Sequence, residues 1–434
     1  MFSSYFSTET LVTDAATLQA PVGHAFPDQV DYRNLKGKRV GFVVLSSYPQ
    51  DPRPRRVAET FVDQGMEVDY ICVNDGNAPA RETRDGMNLF RIPISHRRGG
   101  KLGYFTEYSA FILASAGILA ARSLQRRYDL VYVNNMPDIL VCSALLPKMF
   151  GAKVILDLHD PMPELMTTIF GAKPESKTIG FIKWMEKWSM ARAHALITVN
   201  LACRRIFSAR SCPPEKISVV MNSPDSEIFP FRSAQSRPPV PDPTRPYIVM
   251  YHGSLVERNG VDLAVEAVAR IRERVPNIQL HIYGRSTPFG EKVMRTVRDR
   301  GLENTVFYKG QKSLEGIVQA IAGCDVGVIP NHRNSFTDIN TPTRIFEYLA
   351  LGKPVISPRT PGIQDYFDDS SLLYFQSGNA EHLAGRILFA AAHPDEALNI
   401  AERGQRVYEL HRWERERETV LTVVDNLLAE AKTI

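Results

Sequence analysis

Cysteine is scarce, with five in 434 residues: Cys72, Cys142, Cys203, Cys212 and Cys324. They are odd in number and widely spread, and no two have the spacing of a metal-ligand pair. That excludes a disulfide scaffold and a zinc module, and it reads as reduced thiols in a cytoplasmic setting. An excess of one charge is also missing. Lys and Arg number 52 against 48 Asp and Glu, a net of +4, which gives no reason to expect a nucleic-acid partner. Met1 to Pro27 lacks the basic start and apolar run of a secretory signal. No glycine-rich phosphate loop of the P-loop type occurs. No G-x-G-x-x-G follows the first strand-like run, which argues against a dinucleotide-dependent dehydrogenase.

Long apolar runs are nearly absent. The exception, Tyr104–Ala121 (YFTEYSAFILASAGILAA), is about the length needed to cross a bilayer. It contains Glu107 and several small polar residues and sits inside an α/β pattern, so it predicts a partly buried helix. Basic residues flank it: His96, Arg97, Arg98 and Lys101 before, Arg122, Arg126 and Arg127 after. Lysines and arginines of this kind attract anionic lipid. The flanks therefore suggest a peripheral site on the inner face of the cell membrane, with a helix that is simply core as the competing reading.

What is present is an alternation of short apolar runs and helical stretches. A chain of this length calls for two domains. Residues 1–36 show no periodicity and read as an N-terminal extension. Lys38–Leu45 is the first strand-like run, followed by a helical pattern over Arg55–Gln64 that Gly65 ends. Further strands are expected at Val68–Val73, Leu130–Val133, Val154–Leu158, Ala195–Val199 and Ile217–Val220. Ser223–Pro246 contains SRPPVPDPTRP, too rich in proline for helix or central strand, and reads as a linker over 223–246. The pattern then restarts with strands at Tyr247–Tyr251, Ile278–Tyr283, Val306–Tyr308, Val326–Ile329 and Val355–Ile356, with helices between them. This predicts an α/β protein of two facing, doubly wound domains, 37–222 and 247–410. A C-terminal helix over 411–434 would pack back across the hinge.

In such sheets ligands bind outside the carboxyl ends of the strands. Three segments there carry chemistry. In LDLHDPMPE, His159 follows a strand and can bond a polar ligand, with Asp160 placed to fix its tautomer. In HGSLVERNG, Gly253 permits a tight turn and Arg258 stands just before a helix start, a ready diphosphate site. In NTPTRIFEYLALGKPVIS, Thr341-Pro342 opens a helix whose free amides, with Arg344, can hold phosphate oxygens. Glu347, three residues on, shares a face with Arg344 and can accept both hydroxyls of a ribose. Each has a plain alternative: a loop histidine, a solvated arginine, a structural Arg–Glu pair. Tyr283 and Gly284, at the end of another strand, join the donor-facing set with Ser254 and Asn259.

At these residues the sequence resembles the family 4 retaining glycosyltransferases of the GT-B type. PTRIFEYLALGKPVIS looks like that family's donor-site helix and strand. VILDLHDPMPE is similar to its segment bearing the active-site histidine, and YHGSLVERNGVDLAVEA to its diphosphate loop. The resemblance implies two Rossmann-like domains around a cleft, the N-terminal one for the acceptor and the C-terminal one for the nucleotide-sugar donor, and transfer of a sugar from that donor with retention. The donor would be UDP- or GDP-linked and the acceptor a lipid-linked compound or a polysaccharide; neither cofactor nor metal is required. It assigns the ribose to Glu347, the diphosphate to Arg344 and Arg258, and contact with the donor sugar to His159. Two positions depart from the family. Ile339 stands eight residues before Glu347, where a second glutamate is frequent. Ser254 and Asn259 occupy places where Arg and Lys are frequent. A non-catalytic sugar-nucleotide-binding paralogue, and an epimerase or phosphorylase on the same fold, remain as alternatives.

Overall fold

The computed structural model describes residues 32–74, 76, 78–94, 100–234, 245–275 and 277–429. Most of the expected N-terminal extension, part of the proline-rich segment and the basic residues 96–98 lie outside them.

The N-terminal sheet contains β1 (Arg39–Ser47), β2 (Glu67–Asn74), β3 (Arg81–Arg84), β4 (Met87–Pro93), β5 (Leu130–Asn134), β6 (Lys153–Leu158), β7 (Ala195–Thr198) and β8 (Ile217–Val219). Their order is β3-β4-β2-β1-β5-β6-β7-β8, parallel except for the β3–β4 hairpin. Its helices are α1 (Pro52–Asp63), α2 (Gly100–Gln125), α3 (Leu145–Met149), α4 (Met162–Phe170), α5 (Lys177–Arg192) and α6 (Leu201–Arg210). Alternation along β1 divides the core: Val40 and Phe42 face the α1 side, while Val43 faces α2. Phe42 pairs in register with Tyr70 and Tyr132, and its ring stacks between theirs at 5.1 and 4.8 Å. This aromatic row fixes Tyr132 near the carboxyl end of the sheet.

The second sheet is parallel throughout. It orders β9 (Tyr247–His252), β10 (Ile278–Tyr283), β11 (Val306–Gly310), β12 (Val326–Val328), β13 (Val355–Pro358) and β14 (Leu373–Phe375) as β11-β10-β9-β12-β13-β14. Around it lie α7 (Val261–Ile271), α8 (Pro288–Asp299), α9 (Leu314–Gly323), α10 (Thr343–Ala350), α11 (Pro361–Gln364), α12 (Ala380–Ala392) and α13 (Pro394–Leu410). The last helix, α14 (Trp413–Ala429), returns to the first domain, where Val420, Leu421 and Val424 enter the core beside Phe42 and Phe61. The described part of the proline-rich segment is packed. Phe229 is buried in the second domain's core, and the Arg232 amide donates to the Ala350 carbonyl at 2.7 Å.

The run Tyr104–Ala121 lies within α2, which turns Phe111, Ser115 and Leu119 inward. Among the described residues no helix is long and apolar enough to cross a membrane. Two of the three arginines after it are engaged by carboxylates. Arg122 donates twice to buried Asp69, each bond at 3.1 Å, and Arg126 pairs with Glu67 at 2.7 Å.

Candidate active site

On the N-terminal side the site is built from buried charge. Arg53, in the first turn of α1, forks onto Asp157 of β6 with N–O distances of 3.2 and 2.9 Å. Both side chains are buried, at 3% and 0% exposure. The Tyr132 hydroxyl donates to the same carboxylate at 3.0 Å. Burial alone would raise the Asp157 pKa, yet the charges of Arg53 and His159 hold it well below the usual carboxylate range. His159, just past β6, rests on this anchor. Its Nε2 lies 3.4 Å from Asp157 Oδ2 and 3.2 Å from Asn134 Oδ1, and its backbone amide donates to Asn135 Oδ1 at 2.7 Å. Both neighbours of Nε2 are acceptors, which favours a proton on that nitrogen. Asp138 bonds the Asn135 amide at 2.8 Å, and burial pushes its pKa up to about 7. Asn134 Nδ2 and Asp138 Oδ2 are buried without a hydrogen-bond partner among the described residues. Such atoms are costly in an interior and mark a wall suited to a polar ligand.

The sequence expectation that Asp160 orients the imidazole is corrected here. Asp157 and Asn134 face the ring, because His159 turns back over the end of its own strand, whereas Asp160 is only partly buried and its carbonyl accepts from Asn135.

On the C-terminal side the site is built from close backbone approaches. Gly253 has φ +130°, and a Cβ there would meet Arg344 at 3.1 Å. Gly260 has φ +65°, and a Cβ would strike the Pro330 carbonyl oxygen at 1.9 Å. At Gly284 a Cβ would lie 2.2 Å from the Gly253 carbonyl. The helix bearing the donor motif is seated equally tightly. The Tyr348 ring lies over Gly327 of β12, where a Cβ would come within 2.5 Å, and its hydroxyl donates to the Met250 carbonyl at 2.8 Å. This seat sets Glu347 beside His252, with 3.2 Å between Oε2 and Nε2. Burial pushes the Glu347 carboxyl up to about 7, opposed by Arg344 and Arg56. Burial, with the Arg344 charge, drives His252 down to about 3.

Arg344 itself is engaged structurally. It donates to the His252 carbonyl at 2.9 Å and to Asn331 Oδ1 at 3.3 Å, and it stacks on Tyr251. Asn259 donates to the Ser254 carbonyl at 2.8 Å, and Tyr283 accepts the Gly253 amide at 3.0 Å, so both shape the loop. The Ser254 side chain is exposed. Pro342 is the N-cap of α10, and the Thr341 hydroxyl bonds the Gly362 carbonyl at 2.8 Å, leaving the first turn without a side-chain cap.

The two sides meet. The positive charge of Arg258 reaches the Asp160 carboxyl next to His159, and that of Arg56 reaches Glu347. Asn200 donates to the Ile339 carbonyl at 2.9 Å, and Thr168 to Asn334 Oδ1 at 3.2 Å. The cleft therefore gathers His159, Arg258 and the Glu347 helix from opposite domains. Sequence reasoning missed Arg53, Tyr132, Asn134, Asp138, Asp157 and His252.

Two family models match the chain consecutively: "Glycosyl transferase 4-like domain" over residues 51–223 and "Glycosyl transferases group 1" over 233–407. The chain is similar to WcaL of Escherichia coli, a glycosyltransferase assigned to colanic acid biosynthesis, with 26% identity over 46% of this chain and 48% of that one. It also resembles a D-inositol 3-phosphate glycosyltransferase of Acidothermus cellulolyticus, 26% identical over 56% of each. The chain thus spans about half the length of these relatives. Among solved structures, sucrose-phosphate synthase from Thermosynechococcus elongatus superposes with a TM-score of 0.72 at 18% identity, covering 91% of this chain and 100% of that one. Alr3699/HepE of Anabaena, solved with UDP, superposes at 0.62 with 16% identity, covering 91% and 99%. At these identities the superpositions show the fold: two parallel-sheet α/β domains of the GT-B type.

Proposed function

We infer the activity from a premise the two matched models supply: the chain belongs to the group 1 glycosyl transferases, with a glycosyl transferase 4-like domain as its N-terminal half. The reading is transfer of a sugar from a nucleotide sugar to an acceptor in polysaccharide or glycolipid synthesis, with retention and without a metal. One observation carries it. Glu347, held by the seat of Tyr348 on Gly327, lies 3.2 Å from His252, the residue that leads into the Gly253–Gly260 loop.

In this reading Glu347 accepts the ribose hydroxyls. The loop amides and Arg258 hold the diphosphate, whose negative charge grows as the glycosidic bond breaks. His159, with its Nε2 proton directed by Asp157 and Asn134, presents the ring toward the sugar. Arg344 acts through the backbone of the loop by fixing the His252 carbonyl. The donor is UDP-linked, by analogy with the UDP complex of the Anabaena protein. A second reading, a sugar-nucleotide-binding protein without turnover, draws on Ile339. That side chain packs against the N-terminal core and brings no carboxylate to the sugar, and neighbouring Asp338 is paired with Arg333 at 2.9 Å.

Calorimetric titration with UDP and GDP, followed by hydrolysis of a panel of their sugars, separates these readings. Binding with slow hydrolysis of one donor is expected. Binding without hydrolysis of any would favour the second reading, and no binding of either nucleotide would overturn both.

A further inference from the structure

The helix α5 has apolar residues on two opposite sides. Ile179, Ile182 and Met190 point inward, with Ile179 and Ile182 packing against Met162 of α4. A soluble helix then carries polar residues on its outer face. Here the outer face, read at helical spacing, carries Lys177, Phe181 and Trp184, while Trp188, one turn on, is partly buried against the N-terminal core. Phe181 and Trp184 are 59% and 57% exposed and stack on each other with ring centroids 5.7 Å apart. At the end of α4, Ile169 and Phe170 are exposed as well. Contiguous exposed aromatics of this size mark an interaction surface.

The charges around them are predominantly basic, with exposed Glu175, between Lys173 and Lys177, the acidic exception. Lys173, Lys177, Lys183, Lys187 and Arg192 are all exposed, and Arg192 lies over the Trp188 ring at 4.7 Å. Glu186, the acidic residue within α5, is fully buried and tied to Arg210. Exposed aromatics ringed by lysines fit the boundary of an anionic bilayer, where rings enter the interfacial layer and ammonium groups meet lipid phosphates. The location also bears on function. Thr168, one residue before the exposed end of α4, touches the opposite domain at the cleft rim.

We propose that the α4–α5 face docks the enzyme on an anionic membrane surface, with the cleft rim beside the lipid, so that its acceptor is carried on a lipid. This rests on the reading of the N-terminal domain as the acceptor domain. It places the contact on a different element from the basic segment around Arg97, Arg98 and Lys101.

The test is co-sedimentation of the full chain with phosphatidylcholine vesicles, with and without phosphatidylglycerol, at low salt. UDP affinity is measured on the same preparations, so that loss of donor binding is distinguishable from loss of lipid binding. Binding that needs phosphatidylglycerol is expected. It should fall at least about tenfold in Phe181→Ser/Trp184→Ser and in Lys177→Gln/Lys183→Gln/Lys187→Gln, because each basic residue and buried ring contributes a separable share. UDP affinity should stay unchanged in both variants. Absence of binding to anionic vesicles would overturn the proposal. So would binding that survives both variants but disappears in Arg97→Ser/Arg98→Ser/Lys101→Ser. Self-association of the chain that the aromatic variant abolishes, without vesicle binding, would assign the face to a second copy instead.

Discussion

The two walls of the cleft are made by different physics. The N-terminal wall is a buried ion pair, Arg53–Asp157, to which a tyrosine, an asparagine and His159 are attached. The C-terminal wall is backbone brought close enough to exclude any side chain at Gly260 and Gly284, with Gly253 at positive φ beneath the Arg344 side chain and one carboxylate set on top. A buried pair is strong in geometry and fragile to deletion, since either partner left alone is an uncompensated charge. A glycine cradle is sturdy toward side-chain loss elsewhere but presents bare amides to phosphate. The first wall therefore suits holding one ring in one orientation, and the second suits gripping a diphosphate.

The largest effect expected from this contrast is on stability. Arg53→Met leaves Asp157 buried without its partner and should cost about 3–5 kcal/mol in urea unfolding. The protein that remains folded should bind UDP with unchanged affinity, because the donor wall belongs to the other domain. A collapse of UDP affinity in folded protein would show that the two walls are one cooperative unit.

Next comes turnover. Arg258→Ala removes a charge aimed at the departing diphosphate and should lower kcat by about 100- to 1,000-fold, more than it raises the donor KM. Arg344→Ala should behave differently, since its guanidinium already serves the His252 carbonyl and Asn331. Its main expected effect is a loosened loop, seen as a higher donor KM and lower thermal stability. Equal kcat losses in the two variants would erase the distinction drawn between them.

Donor affinity alone is the third measure. Glu347→Ala removes a charged acceptor of ribose hydroxyls, worth about 1.5–3 kcal/mol, or roughly 10- to 100-fold in the UDP dissociation constant. Unchanged affinity in a folded variant would remove the ribose assignment.

The same contrast explains what the sequence made legible. The donor wall is local. Its glycines, Arg258, Thr341 and Glu347 lie in three short segments, two directly after β9 and β10 and the third opening α10, so strand-end and helix-start reasoning reaches them. The ion-pair wall is assembled from segments far apart in the chain. Arg53 lies in PRPRR after a strand-like run and carries no sign that it will meet Asp157 some hundred positions later. Asp157 itself lies inside an apolar run, VILDL, where alternation assigns it a face but not a partner. The β3–β4 hairpin was missed although its signal was present. Asp85-Gly86, both with positive φ, is the two-residue turn that joins antiparallel strands. The outer face of α5 was missed for the opposite reason. A helix apolar on two sides has no clear periodicity, so KTIGFIKWMEKWSMAR gives little indication of which face is exposed.

The smallest effect separates the walls by pH, through two carboxylates whose pKa values move in opposite directions. Asp157 is held below its ordinary value of 3.8, so its contribution to stability is present above that pH and is lost only as acid titrates it. Glu347 is raised from 4.5 to about 7, so its neutral form suits the folded, unliganded protein. Its contribution to stability is complete below the ordinary value and is lost as pH rises through about 7. Ribose hydroxyls reverse that preference, because they donate to the ionised form. UDP affinity should therefore rise between pH 6 and pH 8, as the ionised fraction goes from roughly one-tenth to roughly nine-tenths, a gain of about tenfold or 1.4 kcal/mol. His252, near 3, stays neutral throughout this interval and adds no slope. The phosphate of UDP titrates in the same region, so the informative quantity is the difference from Glu347→Gln, whose amide keeps the shape without the proton. Calorimetry in two buffers of different ionisation enthalpy should show proton release on UDP binding at pH 6.5 in the native chain and less in the variant. Identical pH slopes and proton counts in the two proteins would mean that Glu347 does not meet the ribose as a carboxylate.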